Sequence, residues 1–335
     1  MCYNSRVKKD DKIQKGVLDL SVGLIVAGVV GGVAALGVAG SYGVANILFK
    51  KVIPRQDGVK VDLNEMGDGG KWQEYMKVIQ PNKEYLLSLP CEHLKIKSKD
   101  GLTLCGDYYK AENSSDKLVI CFHGYTSGRM SSCSFAAFML KEGYDCLLVD
   151  NRAHGDSEGE YIGFGILDRF DCMSWINYVN EKYDKKEILL YGVSMGGTTV
   201  IMASADKNLP DNVKAVIADC AFTSPFDVFS HVLKKDYKMP AFPTMEINNK
   251  ICKKKAGYGF KDYSTLDAVK ETKCPILFIH GEEDNFVPVW MSDRNYEECL
   301  TKKALVKIKG AGHGASYYEN GEEYRKAVKN FLDNI

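Results

Sequence analysis

The chain has 335 residues, 45% of them hydrophobic, and 44 basic side chains balance 44 acidic ones. It is long enough for one large domain plus an extension, and with no net charge and no basic, aromatic-bearing patch it gives no sign of a nucleic-acid partner. Its 11 cysteines are odd in number and scattered, with no Cys-x-x-Cys pair and no His/Cys cluster at metal-ligand spacing, which argues against a disulfide scaffold and a zinc site.

The first element in chain order is apolar. From Leu20 to Phe49 the sequence LSVGLIVAGVVGGVAALGVAGSYGVANILF carries no charge. Thirty helical residues would span about 45 Å, against a hydrocarbon core of about 30 Å. The expectation is a basic tail over 1–19 and a single membrane-spanning helix over 20–49. A basic leader before an apolar run also describes a cleaved signal peptide, but this run is longer than a usual signal core, which favours an uncleaved anchor. Gly28 and Gly32 form a small-xxx-small pair through which two spans could pack as a homodimer, although glycine is frequent throughout the run. Arg6, Lys8, Lys9, Lys12 and Lys15 precede the run, and Lys50, Lys51, Arg55 and Lys60 follow it. That balance leans only slightly to an inside N-terminus and an extracytoplasmic main domain. The cysteines lean the other way, because several (Cys121, Cys146, Cys220, Cys274) lie on apolar runs as small hydrophobes and suit a reducing setting. The side of the membrane stays open.

Residues 50–90 read as a connector. QDGVKVDLNEMGDGG is polar and glycine-rich, and KWQEYMKVIQPNKEYLLSL predicts one or two short amphipathic helices able to cover an edge of the main domain.

From residue 91 to 335 strands and helices alternate. EHLKIKS and LTLCGDYYK flank KDG as a hairpin. The buried-strand runs KLVICFH, YDCLLVD, EILLYG, VKAVIADC, CPILFIHG and ALVKIKG follow, separated by helical patterns at Ser134–Lys141, Leu167–Tyr183, Gly197–Lys207 and Asp293–Leu300, with a last helix over Tyr317–Leu332. This spacing predicts an α/β fold: a mostly parallel sheet with helices on both faces and an antiparallel edge from the hairpin. About fifty residues, 221–270, interrupt the rhythm. They hold Phe222, Phe226, Phe229, Tyr237, Met239, Phe242 and Met245, broken by Pro225, Pro240 and Pro243. They predict a short helical cap after the sixth strand, whose aromatics either wall an apolar pocket or fasten the cap to the sheet.

The motif that carries chemistry is Gly192-Val193-Ser194-Met195-Gly196 between a strand and a helix. A serine on so tight a turn has strained backbone angles and little room on either side, which calls for glycine and lifts the hydroxyl clear of the sheet. Such a hydroxyl needs a base, itself oriented by a third group. In chain order Ser, acid, His, the loop EEDNFVP after the penultimate strand offers Asp284, and AGHG after the last strand offers His313. All three fall at the carboxyl ends of strands, where ligand sites of open parallel sheets lie. Glu282, Glu283 and Asp219 are the rival acids. His123 and His280 precede glycines at strand ends, His154 lies in a polar loop, His93 opens the hairpin and His231 lies in the cap. The oxyanion of acyl transfer needs aimed donors: the backbone N–H of Met195 at its helix start, and that of Tyr125 in CFHGYTSG, where Gly124 allows close approach.

With FHGYTS, DNRAHGDSEG, YGVSMGG, HGEEDNFVP and GAGHG in this order, the chain from residue 91 to 335 resembles the α/β-hydrolase fold, and more narrowly bacterial serine esterases and serine aminopeptidase-like hydrolases. The resemblance implies Ser194, Asp284 and His313 as triad, Tyr125 and Met195 as oxyanion donors, and a structural role for the loop of Asp150, Arg152 and His154. HGGG is absent, which disfavours the hormone-sensitive-lipase-like branch, and a serine nucleophile argues against epoxide hydrolase and dehalogenase chemistry. The expectation is a membrane-anchored serine hydrolase of carboxylic esters that needs no metal or organic cofactor and takes a small acyl-ester or peptide substrate. Amide or peptide cleavage by the same triad is the second reading, and a non-catalytic anchored binding module a third.

Overall fold

A computed structural model describes residues 40–56, 71–113, 115–183 and 187–335. Eight strands form one sheet: β1 (Glu92–Lys97), β2 (Thr103–Tyr109), β3 (Lys117–Phe122), β4 (Asp145–Val149), β5 (Glu187–Val193), β6 (Val213–Asp219), β7 (Ile276–Gly281) and β8 (Lys303–Ile308), in spatial order β1-β2-β4-β3-β5-β6-β7-β8. The β1–β2 and β2–β4 pairings are antiparallel and the rest parallel, so the hairpin makes the antiparallel edge as its sequence predicts.

The central strands read as continuous apolar runs because both sheet faces are covered, yet the period-two alternation persists in which core each side chain joins. Leu118, Ile120 and Phe122 of β3, with Leu190 of β5 and Phe278 of β7, face one core; Val119, Cys121, Tyr191 and Ile279 face the other. The first core is closed by α4 (Asp168–Tyr183), α5 (Met195–Ser204), α8 (Thr265–Glu271) and α9 (Trp290–Glu298). The second is closed by α3 (Cys133–Lys141), α10 (Ser316–Glu319) and α11 (Gly321–Leu332). The expected last helix is thus two, because Asn320 leaves helical geometry (φ −143°, ψ 76°) and its side chain accepts from Glu323 N–H to start α11.

Between β6 and β7 lie α6 (Pro225–Asp236) and α7 (Thr244–Ala256), followed by α8. Ser224 caps α6 through Asp227 N–H, with proline at the first turn. Phe222 and Met245 are buried among the first core, whereas Phe242 is exposed. The connector's helix is a single one, α2 (Trp72–Ser88), with Pro81 inside it. It lies on the helical layer: the Trp72 and Tyr75 rings meet Tyr318, and Asn82 Nδ2 donates to Ser134 Oγ at 3.3 Å.

Most of the apolar run, 20–39, with Gly28 and Gly32, lies outside the described residues. Its final part lies in a helix over 40–52 (α1). Val44, Ala45, Phe49 and Ile53 are buried, and Phe49 meets the Tyr161 ring at 5.8 Å, so the end of the run packs on the main domain. Among the described residues no helix is long and apolar enough to cross a membrane.

Candidate active site

The loops after β3, β4, β5, β6, β7 and β8 share one rim of the sheet, because these strands are parallel. Ser194 stands there between β5 and α5 with φ 55° and ψ −114°, its N–H donating to Asp219 O at 2.8 Å. The glycines around it are obligatory for want of space. A Cβ on Gly192 would lie 2.2 Å from the Gly196 carbonyl, and one on Gly196 would lie 2.1 Å from Phe122 O.

Ser194, His313 and Asp284 come together. His313 Nε2 lies 2.9 Å from Ser194 Oγ, and His313 Nδ1 lies 2.7 Å from Asp284 Oδ2. Asp284 Oδ1 accepts from Phe286 N–H and Val287 N–H, both at 2.9 Å, an arrangement the turn before Pro288 creates. Burial opposes ionisation of Asp284, but the charge of His313 and bonds from His280 and His313 overcome it and hold the carboxyl well below its usual range. Burial likewise opposes protonation of His313, while the Asp284 carboxylate pushes its affinity for a proton well above that of an ordinary histidine. Cys220, with φ 45°, adjoins the pair, but burial raises its thiol to about 11, so it is neutral near pH 7 and brings no charge to His313.

The rival groups sit elsewhere or are otherwise engaged. Glu282 and Glu283 are exposed. Asp219 is buried, accepts from Ser316 Oγ at 3.1 Å and is raised to about 6 by burial. His123 Nδ1 donates to Gly124 O at 2.7 Å and its Nε2 accepts from Asn151 N–H at 3.0 Å, and burial lowers it to about 3. His93 bonds Asp107 at 2.7 Å at the far hairpin.

The loop after β3 passes beside the serine, since a Cβ on Gly124 would lie 3.6 Å from Ser194 Cβ. Tyr125 follows it and Met195 opens α5. Among the described residues, no turn, loop or side-chain hydrogen bond engages the N–H of either. The Tyr125 ring packs on Phe164 at 5.3 Å, Phe164 on Phe229 of α6 at 4.9 Å, and Phe229 on Phe260 at 5.2 Å, an aromatic chain from this loop into the cap.

Two triplets of ligand-type side chains occur among the described residues. Cys220, Asp284 and His313 are the site itself. At Cys91, His93 and Asp107, Arg129 Nε already donates to Asp107 Oδ2 at 2.8 Å, so a fixed cation occupies the carboxylate and works against a metal ion.

Comparison with known proteins accords with this architecture. A family model described as alpha/beta hydrolase fold matches residues 117–249. The chain has the α/β-hydrolase fold. Among solved structures, the esterase Pf2001 of Pyrococcus furiosus superposes with a TM-score of 0.60 at 25% identity, over 75% of this chain and 93% of that one. An acylaminoacyl peptidase of Pyrococcus horikoshii superposes with a TM-score of 0.56 at 21% identity, over 75% of this chain and 42% of that one. The uncharacterized protein YqkD of Bacillus subtilis strain 168 is 29% identical over 241 residues, 72% of this chain and 78% of that protein. The matched stretch of the hydrolase fold holds Tyr125, Ser194 and Met195; Asp284 and His313 lie beyond it.

Sequence reasoning missed two features of the site. His280 reaches Asp284 Oδ2 at 3.2 Å from four residues upstream, a spacing within HGEED that offered the signal. The last turn of α1 also touches the Tyr125 loop, through Val52 O, and nothing in its composition announced that.

Proposed function

We propose that this chain is a serine hydrolase of carboxylic esters, with Ser194 as nucleophile, His313 as general base and Asp284 as the group that orients it. The observation that carries the reading is the 2.9 Å and 2.7 Å relay from Ser194 Oγ through His313 to Asp284, at the rim where a substrate meets the sheet. Ser194 Oγ attacks the ester carbonyl as His313 Nε2 takes its proton. The Met195 and Tyr125 N–H groups hold the oxyanion, and His313 returns the proton to the departing alkoxide. Water, deprotonated by the same imidazole, then releases the acid from the acyl-serine. The rings of Tyr125, Phe164 and Phe229 connect the loop beside Ser194 to the cap, and we take their apolar character to favour an acyl group over a charged substrate.

The fold likeness to an esterase supports the ester reading, and the likeness to an acylaminoacyl peptidase keeps amide cleavage as the second one. Short p-nitrophenyl esters and matched anilides distinguish them. Ester turnover lost in Ser194→Ala supports the first, and faster turnover of the anilides would replace it with the second.

We further propose that the apolar run anchors the chain in a bilayer. With Val44 to Phe49 packed on the domain, Leu20 to Gly43 still comprises twenty-four uncharged residues, about 36 Å of helix. Retention in membranes after a carbonate wash supports the anchor; release contradicts it. Protease accessibility in intact cells fixes the side.

A further inference from the structure

We propose that the segment Phe49–Arg55 is a positioning strap for the oxyanion loop, acting on Tyr125 directly and through Arg55 and His154. The inference rests on the serine hydrolase reading, since it assigns the strap a role in aiming one of that site's two N–H donors.

The strap is fixed in register along the loop after β4. Pro54 pairs with Tyr161, Arg55 N–H donates to Glu160 O at 2.8 Å, and Ile162 N–H donates to Ile53 O at 2.8 Å. From this position it reaches the oxyanion loop by two routes. In the first, Tyr125 Oη donates to Val52 O at 3.2 Å, so the side chain of the proposed donor residue is tied to the strap's backbone. In the second, the Arg55 guanidinium grips the turn around His154, with Nη1 donating to Ser157 O at 2.6 Å and Nη2 to Gly155 O at 2.5 Å.

His154 passes this grip onward. Its Nδ1 faces Arg152 O at 2.9 Å, and a carbonyl only accepts, so Nδ1 carries the proton. Nε2 is then the lone pair that accepts Thr126 N–H at 3.3 Å. Burial lowers the proton affinity of this imidazole, which keeps that lone pair available. Thr126 has φ 54°, a left-handed conformation that a threonine keeps only when its surroundings hold it. The residue after Tyr125 is therefore strained and pinned, and the pin leads back to Arg55. Tyr125 N–H points as the strap directs it. The strap begins in the last turn of α1 and joins that helix to the oxyanion loop.

The test uses the full chain, with kcat and KM for p-nitrophenyl butyrate, Ser194 labelling by a fluorophosphonate, and Tm. Removing one oxyanion donor outright costs about 10²–10³ in kcat, so misdirecting one by Arg55→Ala or His154→Ala is expected to lower kcat about tenfold with KM within twofold. His154→Gln, which keeps an acceptor near the Nε2 position, restores most of that loss. Tyr125→Phe removes a single hydroxyl, folds with the least disturbance and lowers kcat severalfold. Arg55→Ala costs less in the His154→Ala background, because the two share a route. Variants with lowered Tm but wild-type kcat would make the strap a stability element and overturn the proposal while leaving the hydrolase reading intact. Wild-type protein that neither labels nor turns over would overturn the hydrolase reading, and the proposal with it.

Discussion

His280 and His313 share one oxygen: His280 Nε2 lies 3.2 Å and His313 Nδ1 2.7 Å from Asp284 Oδ2. His280 Nε2 also faces Val287 O at 2.8 Å, so it carries the proton, and its Nδ1 is left to accept from Ser292 Oγ at 2.6 Å. A second imidazole therefore braces the carboxylate from behind. Replacing it by His280→Ala leaves the Asp284 anion one donor short in a buried site. We expect kcat/KM to fall by about tenfold, the worth of one bond to a charged group, with Ser194 still labelled by fluorophosphonate, but more slowly. An unchanged kcat/KM would make His280 a packing residue only.

The Asp284–His313 pair fixes the sign of the pH dependence. The carboxylate stabilises the imidazolium, and in the proposed mechanism only the neutral imidazole accepts the Ser194 proton. Activity is thus low below the His313 transition and rises above it. Because the shift is upward, the midpoint of the kcat/KM profile is expected above the ordinary histidine value of about 6.5. Asp284→Asn removes the anion, so its midpoint moves down, while kcat falls by about 10⁴ through loss of the orienting acceptor. A midpoint that stayed fixed in Asp284→Asn would show that another acid serves His313.

Gly192 and Gly196 are tested by adding one carbon. Either Gly→Ala places a Cβ about 2 Å from main-chain atoms of the neighbouring turn or strand, where no side-chain adjustment relieves it. We expect a loss beyond the ~1–3 kcal/mol typical of overpacking, seen as a lower denaturation midpoint and loss of turnover together. A variant with wild-type stability and activity would mean that the turn is laxer than its geometry.

Thiol reactivity checks the environment of Cys220. Burial holds its thiol near 11, and Cys91 is the half-buried cysteine among the described ones. Peptide mapping after brief iodoacetamide treatment of native protein at pH 8 is expected to find Cys91 modified and Cys220 intact. Rapid alkylation of Cys220 would contradict the closed packing beside His313.

Much of this architecture is legible in the sequence. The alternation from β3 to β8 is carried by apolar runs whose length and flanking turns fix strand against helix, and Ser194, Asp284 and His313 follow from the loops those strands create. Other features depend on packing that no local pattern encodes. Ala45 and Phe49 have the hydropathy of a membrane span, and only the neighbouring Tyr161 and the first core show that they pack on protein. The break between α10 and α11 turns on one asparagine inside an otherwise continuous amphipathic pattern. The cap's large apolar side chains fasten it to the sheet: Phe222 and Met245 are buried in the first core, and Phe229 packs against that core while its ring meets Phe164.

The relay through His313 is tested most directly by mass spectrometry of the full chain after reaction with a fluorophosphonate. One adduct per molecule is expected, on the peptide that contains Ser194, absent in Ser194→Ala and slowed by at least about a thousandfold in His313→Ala. A folded wild-type protein that takes up no adduct, or carries it on another residue, would contradict the account.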